Sequence, residues 1–88
     1  MSHAIHKYQI NIHNRPFNIP MPFGAEIVEF ELQNEVLCVW AFVNTYNSPD
    51  LNRRFQIFGT GHPMPSRLQY IATVHDTTNG LVWHLCEL

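Results

Sequence analysis

The sequence predicts an all-β fold of about six mostly antiparallel strands, arranged as a small sandwich or a partly open barrel. Three observations lead to this fold class. Apolar and polar residues alternate with a period of two over several segments, which is typical of half-buried strands. Turn-forming residues such as Asn79-Gly80 separate these segments. Finally, we find no segment of helical periodicity longer than about two turns.

The predicted strands are joined by stretches rich in glycine, proline and asparagine, which favour turns. They cover residues 8–12, 25–32, 36–43, 54–58, 68–75 and 81–87. In the second strand the alternation predicts that Val28, Phe30 and Leu32 share one face. The polar residues 33–35 are few enough to make a tight hairpin turn into the third strand.

Residues 36–43 differ from the other predicted strands because they are apolar without interruption. A strand that is apolar on both faces is normally covered on both faces. In a chain of 88 residues this indicates a closed barrel, a two-sheet sandwich or a subunit interface. Only 14% of the residues are charged, against ~25% in typical soluble domains. We therefore expect a homo-oligomer or a stable protein partner.

The last two strands are predicted to form a hairpin with a type I′ turn at Asn79-Gly80, because both residues tolerate positive φ. A loop of even length places one set of residues on the face that we expect to form the core: Tyr70, Val74, Trp83 and Leu85. The opposite face then carries Ile71, His75, Val82, His84 and Cys86. Both tryptophans, Trp40 and Trp83, are expected in the core.

Charge and composition argue against two classes of partner. The net charge is −2 with only five lysines and arginines, whereas binding to nucleic acid requires a basic surface. No apolar run approaches the ~20 residues of a membrane-spanning helix, and we find no secretory signal. We therefore expect residues 1–88 to form one cytoplasmic domain with Cys38 and Cys86 reduced.

The most distinctive motif is the Gly-Thr-Gly-His-Pro sequence of residues 59–63. Backbone N–H groups around glycines can form a concavity that binds anions, and nearby side chains can add positive charge. The candidate residues for binding a ligand or partner are Arg54, Thr60, Gly61, His62 and Arg67. The motif lacks the helix that follows a phosphate-binding loop. The alternative interpretation is a strand end that needs positive φ and close backbone packing.

Catalytic and metal-binding signatures are weak. His75, His84 and Cys86 are predicted to share a face, but zinc sites need four protein ligands, or three and a water. Glu29 and Glu31 are typical of a solvated strand face, and every serine lies at the terminus or in a loop. We therefore predict that the protein is not an enzyme and binds no metal or cofactor.

Several segments together resemble a known family. They are Lys7-Tyr8-Gln9-Ile10, residues 21–25, Val39-Trp40-Ala41, residues 59–63 and Trp83-His84-Leu85. In this order they resemble a family of small proteins of unknown function that phages and prophages encode. The most specific part is the Gly-Thr-Gly-His-Pro loop followed by Tyr70-Ile71-Ala72-Thr73. The resemblance carries over no catalytic residue, and it implies a phage accessory protein that acts inside the bacterial cell.

These observations favour a non-catalytic protein that docks on a host or phage protein, for example one of bacterial defence. The expected contact elements are residues 14–23, 44–52 and 59–65. A first alternative is an oligomer that sequesters an anionic nucleotide with the candidate residues around His62. Two others are a virion or assembly component, and a weak hydrolase or metal protein that uses His75, His84 and Cys86.

Overall fold

The computed structural model describes residues 2–88, which form nine β-strands and no helix. The strands are β1 His3–Ile10, β2 Phe17–Asn18, β3 Met21–Pro22, β4 Glu26–Gln33, β5 Val36–Asn44, β6 Pro49–Asp50, β7 Arg54–Gly59, β8 Gln69–Asp76 and β9 Leu81–Glu87. The predicted all-β class is confirmed: six of these strands are long, and β2, β3 and β6 have two residues each. In the described part of the chain, no helix is long and apolar enough to cross a membrane.

Two antiparallel sheets pack face to face. Sheet A has the strand order β1-β5-β4, sheet B has the order β2-β7-β9-β8, and β3 and β6 form a separate two-stranded ribbon. The molecule is 16 Å thick along its shortest axis, which fits two layers ~10 Å apart. The sheets meet where β4 contacts β8. On the opposite side β1 and β2 remain unpaired edges, so the sandwich is open there and no closed barrel forms.

The core lies between the two sheets and takes one face of each long strand. The seven core residues of β5, β7 and β9 with at most 1% exposure are Leu37, Val39, Ala41, Val43, Phe55, Ile57 and Leu85. Because successive side chains of a strand point to opposite sides, the remaining residues of β5 lie outside the core. The apolar run 36–43 therefore has one buried face and one outer face.

Two β-bulges, one in β4 and one in β8, reverse the predicted orientation of residues beside the line where the sheets meet. An inserted residue breaks the alternation of side chains. Ile27 and Ile71 therefore pack against the core, whereas Val28 and Tyr70 are 54% and 57% exposed. The predictions that Val28 shares a face with Phe30 and Leu32, that Tyr70 lies in the core and that Ile71 faces outward are therefore wrong. The other predicted residues of the C-terminal core face do point inward: Val74, Trp83 and Leu85.

The two tryptophans have different environments. Trp83 packs against the core as predicted, and its buried Nε1 has no hydrogen-bond partner within residues 2–88. Trp40 is half-buried on the outer face of β5, between Val39 and Ala41, which point inward. The prediction that Trp40 lies in the core is therefore wrong, because alternation allows only every second residue of β5 to face inward.

The turn between β4 and β5 is a two-residue turn. Asn34 and Glu35 separate the paired residues Gln33 and Val36, and their φ angles are 51° and 67°. Positive φ at both central residues defines a type I′ turn, whose twist matches that of the flanking strands. The predicted tight hairpin is confirmed here.

The turn between β8 and β9 is longer than predicted. Four residues separate the paired Asp76 and Leu81, and among them only Gly80 has positive φ, 67°. The carboxylate of Asp76 accepts hydrogen bonds from the backbone N and Nδ2 of Asn79 at 3.2 and 2.8 Å. The predicted type I′ turn at Asn79-Gly80 is therefore wrong, although the loop length is even, as the predicted faces require.

Arg53 ties the two sheets together beside the bulges. Its Nε and Nη2 donate to the carboxylate of Glu87, each at 2.9 Å, and its Nη1 donates to the carbonyl of Ala25 at 2.6 Å. The hydrogen bonds with Glu87 raise the pKa of Arg53. Arg53 thereby links the start of β7 to the end of β9 and to the residue before β4.

Candidate functional site

Residues 59–62 form a type II β-turn at the end of β7. The backbone N of His62 donates to the carbonyl of Gly59 at 3.1 Å. Gly61 has a φ of 87°, the value that the third residue of this turn needs. A Cβ on Gly59 would lie 2.8 Å from Cε1 of His62, because the His62 ring packs on the Gly59 backbone. Conformation and packing thus account for both glycines, which supports the alternative interpretation of the motif.

A chain of hydrogen bonds anchors this turn to sheet B. Oγ1 of Thr60 lies 2.8 Å from Nε2 of His84, and Nδ1 of His84 lies 2.8 Å from Oγ1 of Thr73. The same Thr73 oxygen lies 2.6 Å from the hydroxyl of Tyr70. Both imidazole nitrogens are therefore engaged by threonine hydroxyls. This cluster is not predictable from the alternation pattern, because it depends on the observed hairpin register and on the bulge beside Tyr70.

Residues 60–68, called here the crossover segment, return along the outer face of sheet B. Since β7 and β8 are each antiparallel to the β9 that separates them, they are parallel to each other and need such a connection. Phe58, His62 and Pro63 line one depression on this face. Phe58 and Cys86 point away from the core, yet are only 5% and 0% exposed. Burial raises the pKa of the Cys86 thiol.

The five candidate binding residues do not converge. Thr60, Gly61 and His62 lie just beyond the end of β7, whereas Arg54 begins that strand. At ~3.4 Å per residue, Arg54 is about 17 Å from this turn. Arg67 is exposed before β8, towards the same end of sheet B as Arg54. Their placement does not produce a single anion-binding pocket.

The alternative set of His75, His84 and Cys86 is not assembled into a reactive site either. The three residues share one face of the C-terminal hairpin, as its register requires. His84 is held by two threonines, and Cys86 is a free, buried thiol. In the part of the chain that the structure describes, no group of three or more His, Cys, Asp or Glu residues is placed to hold a metal ion.

A cleft of about 500 Å³ occupies the open side of the sandwich, between β1 and residues 13–20. The apolar residues that line it are Tyr8, Ile10, Phe17, Ile19 and Pro20, and the polar ones are Lys7, Gln9, Asn11, His13 and Asn18. The ring of His13 packs edge-on against Phe17 at 5.8 Å, and burial raises the pKa of Tyr8. This cleft includes part of the predicted contact element 14–23.

The outer face of sheet A, formed on β5 by Val36, Cys38, Trp40 and Phe42, is more open. Phe42 is 44% exposed, although the ring of His3 stacks on it at 5.2 Å. Nζ of Lys7 donates to Oε1 of Gln33 at 2.8 Å. Because β5 lies between these residues, the Lys7 side chain crosses above Cys38, which explains why that thiol is only 1% exposed.

The geometry defines a class of protein, a two-sheet antiparallel β-sandwich that is open on one side. Its Gly-Thr-Gly-His-Pro motif anchors the start of the crossover segment to sheet B. The chain belongs to the family of the domain of unknown function DUF7352, whose model matches residues 1–88. No curated protein and no solved structure matches the chain. The family is one of unknown function, as the resemblance implied.

Proposed function

We propose that this protein is a phage accessory protein that binds an extended segment of a host or phage protein, without catalysis, along the free edge of β1. The observation that supports this most directly is that β1 pairs with β5 on one side and borders the open cleft on the other. The phage context rests on the resemblance of the sequence. A protein of bacterial defence is one partner of the proposed kind.

The free edge of β1 offers unpaired backbone groups to an added strand. In an antiparallel ladder, every second residue turns its N–H and C=O to the same side. About half of the eight residues of β1 therefore present both groups to the free edge, and the cleft lies beside the part of this edge formed by residues 7–10. Natural sheet edges are usually blocked by a proline, a bulge or a covering segment. β1 has no proline and keeps an unbroken register with β5 from His3 to Ile10, so it is suited to strand addition.

The side chains of the cleft complement such a strand. Tyr8, Ile10, Phe17 and Ile19 are half-buried or buried and form an apolar floor. An added strand would direct every second side chain onto this floor. Asn11 and Asn18 are exposed at the rim. The expected ligand is therefore an extended segment with apolar residues at alternate positions and polar residues between them.

The placement of the candidate anion-binding residues favours a protein ligand over a nucleotide. A small-molecule site needs polar groups that converge on one pocket. Arg54 lies about 20 Å along the chain from Thr60, and the hydroxyl of Thr60 is engaged by His84. The cleft, in contrast, lies beside the second half of the edge strand β1, residues 7–10.

Photo-crosslinking in bacterial cells tests the proposal. p-Benzoylphenylalanine replaces Asn11 at the rim of the cleft or, as a matched control, Thr77 in the exposed turn between β8 and β9. We expect one protein to be captured at position 11 and not at position 77. A synthetic peptide of the crosslinked segment should then bind the purified protein and shift the backbone amide resonances of β1. Equal capture at both positions, or a peptide that leaves the β1 amides unchanged, would contradict the proposal.

A further inference from the structure

The outer face of sheet A carries three stripes of different chemistry. The middle stripe, on β5, is apolar and includes Trp40 and Phe42. On one side, β1 contributes Lys7. On the other side, β4 contributes Glu29 and Glu31, which are exposed. The face therefore has a single lysine on one side, an apolar centre and two glutamates on the other side.

The strand register places members of the three stripes in one row. Trp40 is paired with Lys7 on β1 and with Glu29 on β4. Neighbouring strands are ~4.8 Å apart, so the Cα atoms of Lys7 and Glu29 lie about 10 Å apart. They are on opposite sides of β5 and at equal distances from it. The salt bridge found within residues 2–88 joins Arg53 to Glu87, so Lys7 and Glu29 have no ion-pair partner in the described chain.

We propose that two copies of this protein associate through the outer faces of their A sheets, about a twofold axis parallel to β5. Rotation about this axis exchanges the two sides of the sheet and lays β1 of one copy over β4 of the other. Lys7 of each copy then meets Glu29 of the second copy, and Trp40 meets Trp40. The other in-plane twofold axis, perpendicular to the strands, would instead lay β1 over β1 and β4 over β4, so that like charges meet.

A second copy matches Lys7 to Glu29, lays the apolar stripe on itself and places the neutral Gln9 opposite Glu31. Two aligned sheets pack ~10 Å apart, with their strands crossing at ~30°. A twofold axis tilted by about 15° from β5 gives this crossing angle, because the rotation doubles the tilt. To meet Glu29 of the second copy, the Lys7 ammonium group exchanges its bond to Gln33, which lies across β5, for the carboxylate that arrives above β1. The exposed apolar side chains of Ile5, Val28 and Phe42 lie on the strands of the same sheet.

The size of the face predicts the strength of the dimer. Three strands of eight or nine residues cover roughly 15 × 28 Å. This is about 420 Å², roughly half of the ~800 Å² that a standard interface buries on each partner, so the face predicts a weak, reversible dimer. We therefore expect an equilibrium between monomer and dimer in the micromolar range of protein concentration.

Charge exchange tests the dimer and its axis together. Lys7→Glu and Glu29→Lys are each made in the full chain, and self-association is measured by sedimentation velocity. Each single variant should dimerise at least about tenfold more weakly, since like charges meet twice in its interface. An equimolar mixture of the two variants should form a heterodimer of wild-type affinity, because positions 7 and 29 then have opposite charges in both contacts.

Arg67→Glu is the control, because it reverses an exposed charge outside sheet A and should leave the dimer unchanged. Circular dichroism checks that each variant is folded. A wild-type protein that stays monomeric at several hundred micromolar would overturn the proposal. Failure of the mixture to recover wild-type affinity would exclude this axis in favour of another contact, such as pairing of two β1 edges. Crosslinking at position 11 tests the cleft independently, so the two proposals can fail separately.

Discussion

The outer faces of the two sheets differ in burial although both carry aromatic and thiol side chains. On sheet B, Phe58 and Cys86 are buried because the crossover segment passes over that face. On sheet A, Phe42 is nearly half exposed. The cause is connectivity: parallel β7 and β8 need a long return, whereas β4 and β5 are joined by two residues. Whether an outward apolar residue belongs to the core therefore depends on the connection above it.

The largest expected difference between the two faces is in the cost of removing a phenylalanine. Phe58→Ala should reduce the free energy of unfolding by about 3–5 kcal/mol, because it leaves a cavity beneath the crossover segment. Phe42→Ala should reduce it by less than about 1 kcal/mol, since that ring already contacts water. Urea unfolding of both variants, at protein concentrations well below those expected for the proposed dimer, measures the difference. Similar losses would show that the crossover segment does not extend the core.

A second comparison uses the two buried thiols. Cys38 is covered by the side chain of Lys7, which moves rapidly, whereas Cys86 becomes accessible only when the crossover segment lifts. Burial also raises the pKa of Cys86, so less of the reactive thiolate is present at neutral pH. In single-cysteine variants made by changing the other cysteine to alanine, Cys38 should react with a disulfide reagent at least about tenfold faster, equivalent to ~1.4 kcal/mol.

The control for this measurement is Lys7→Ala. It should accelerate labelling of Cys38 and leave the rate at Cys86 unchanged, because only Cys38 lies beneath that side chain. Equal labelling rates for the two thiols would contradict the difference in cover between the faces.

The smallest expected effects concern the two hairpin turns. Glu35 and Gly80 have the same φ of 67°, but only glycine adopts it without a steric cost. Glu35→Gly should stabilise the protein and Gly80→Ala should destabilise it, each by roughly 1 kcal/mol. Thermal unfolding of the two variants checks the opposite signs. A change of the same sign at both positions would mean that other contacts of these side chains dominate.

Much of the fold could be predicted because one face of each long strand follows from alternation. Five of the six long strands lie within one residue of their predicted bounds, and Val74, Trp83 and Leu85 point inward as predicted. The first strand, predicted at residues 8–12, instead spans His3–Ile10. Val28 and Tyr70 could not be placed, because their bulges lie where β4 and β8 meet. That contact joins residues far apart in the sequence, and nothing local in either strand marks it.

The arrangement around the glycine motif was predictable only in part. Positive φ and close packing at Gly61 and Gly59 were foreseen as the alternative interpretation. The separation of Arg54 from Thr60 was implied by the predicted strand 54–58 between them, a signal the sequence analysis did not use. A two-residue loop at Asn79-Gly80 would place His75 opposite His84. The observed four-residue loop shifts the register by two residues. Each side chain keeps its predicted face, but Thr73 rather than His75 lies opposite His84.

The order in which the strands of sheet B occur along the chain has a consequence for folding during synthesis. β9 lies between β7 and β8, so the middle of this sheet is the last strand to be made. While residues 81–87 remain in the ribosome, β7 and β8 have no partner between them, and Leu85 is missing from the core. Sheet B can therefore close only after residue 87 has emerged, and its non-local pairing predicts slow folding for a chain of this size.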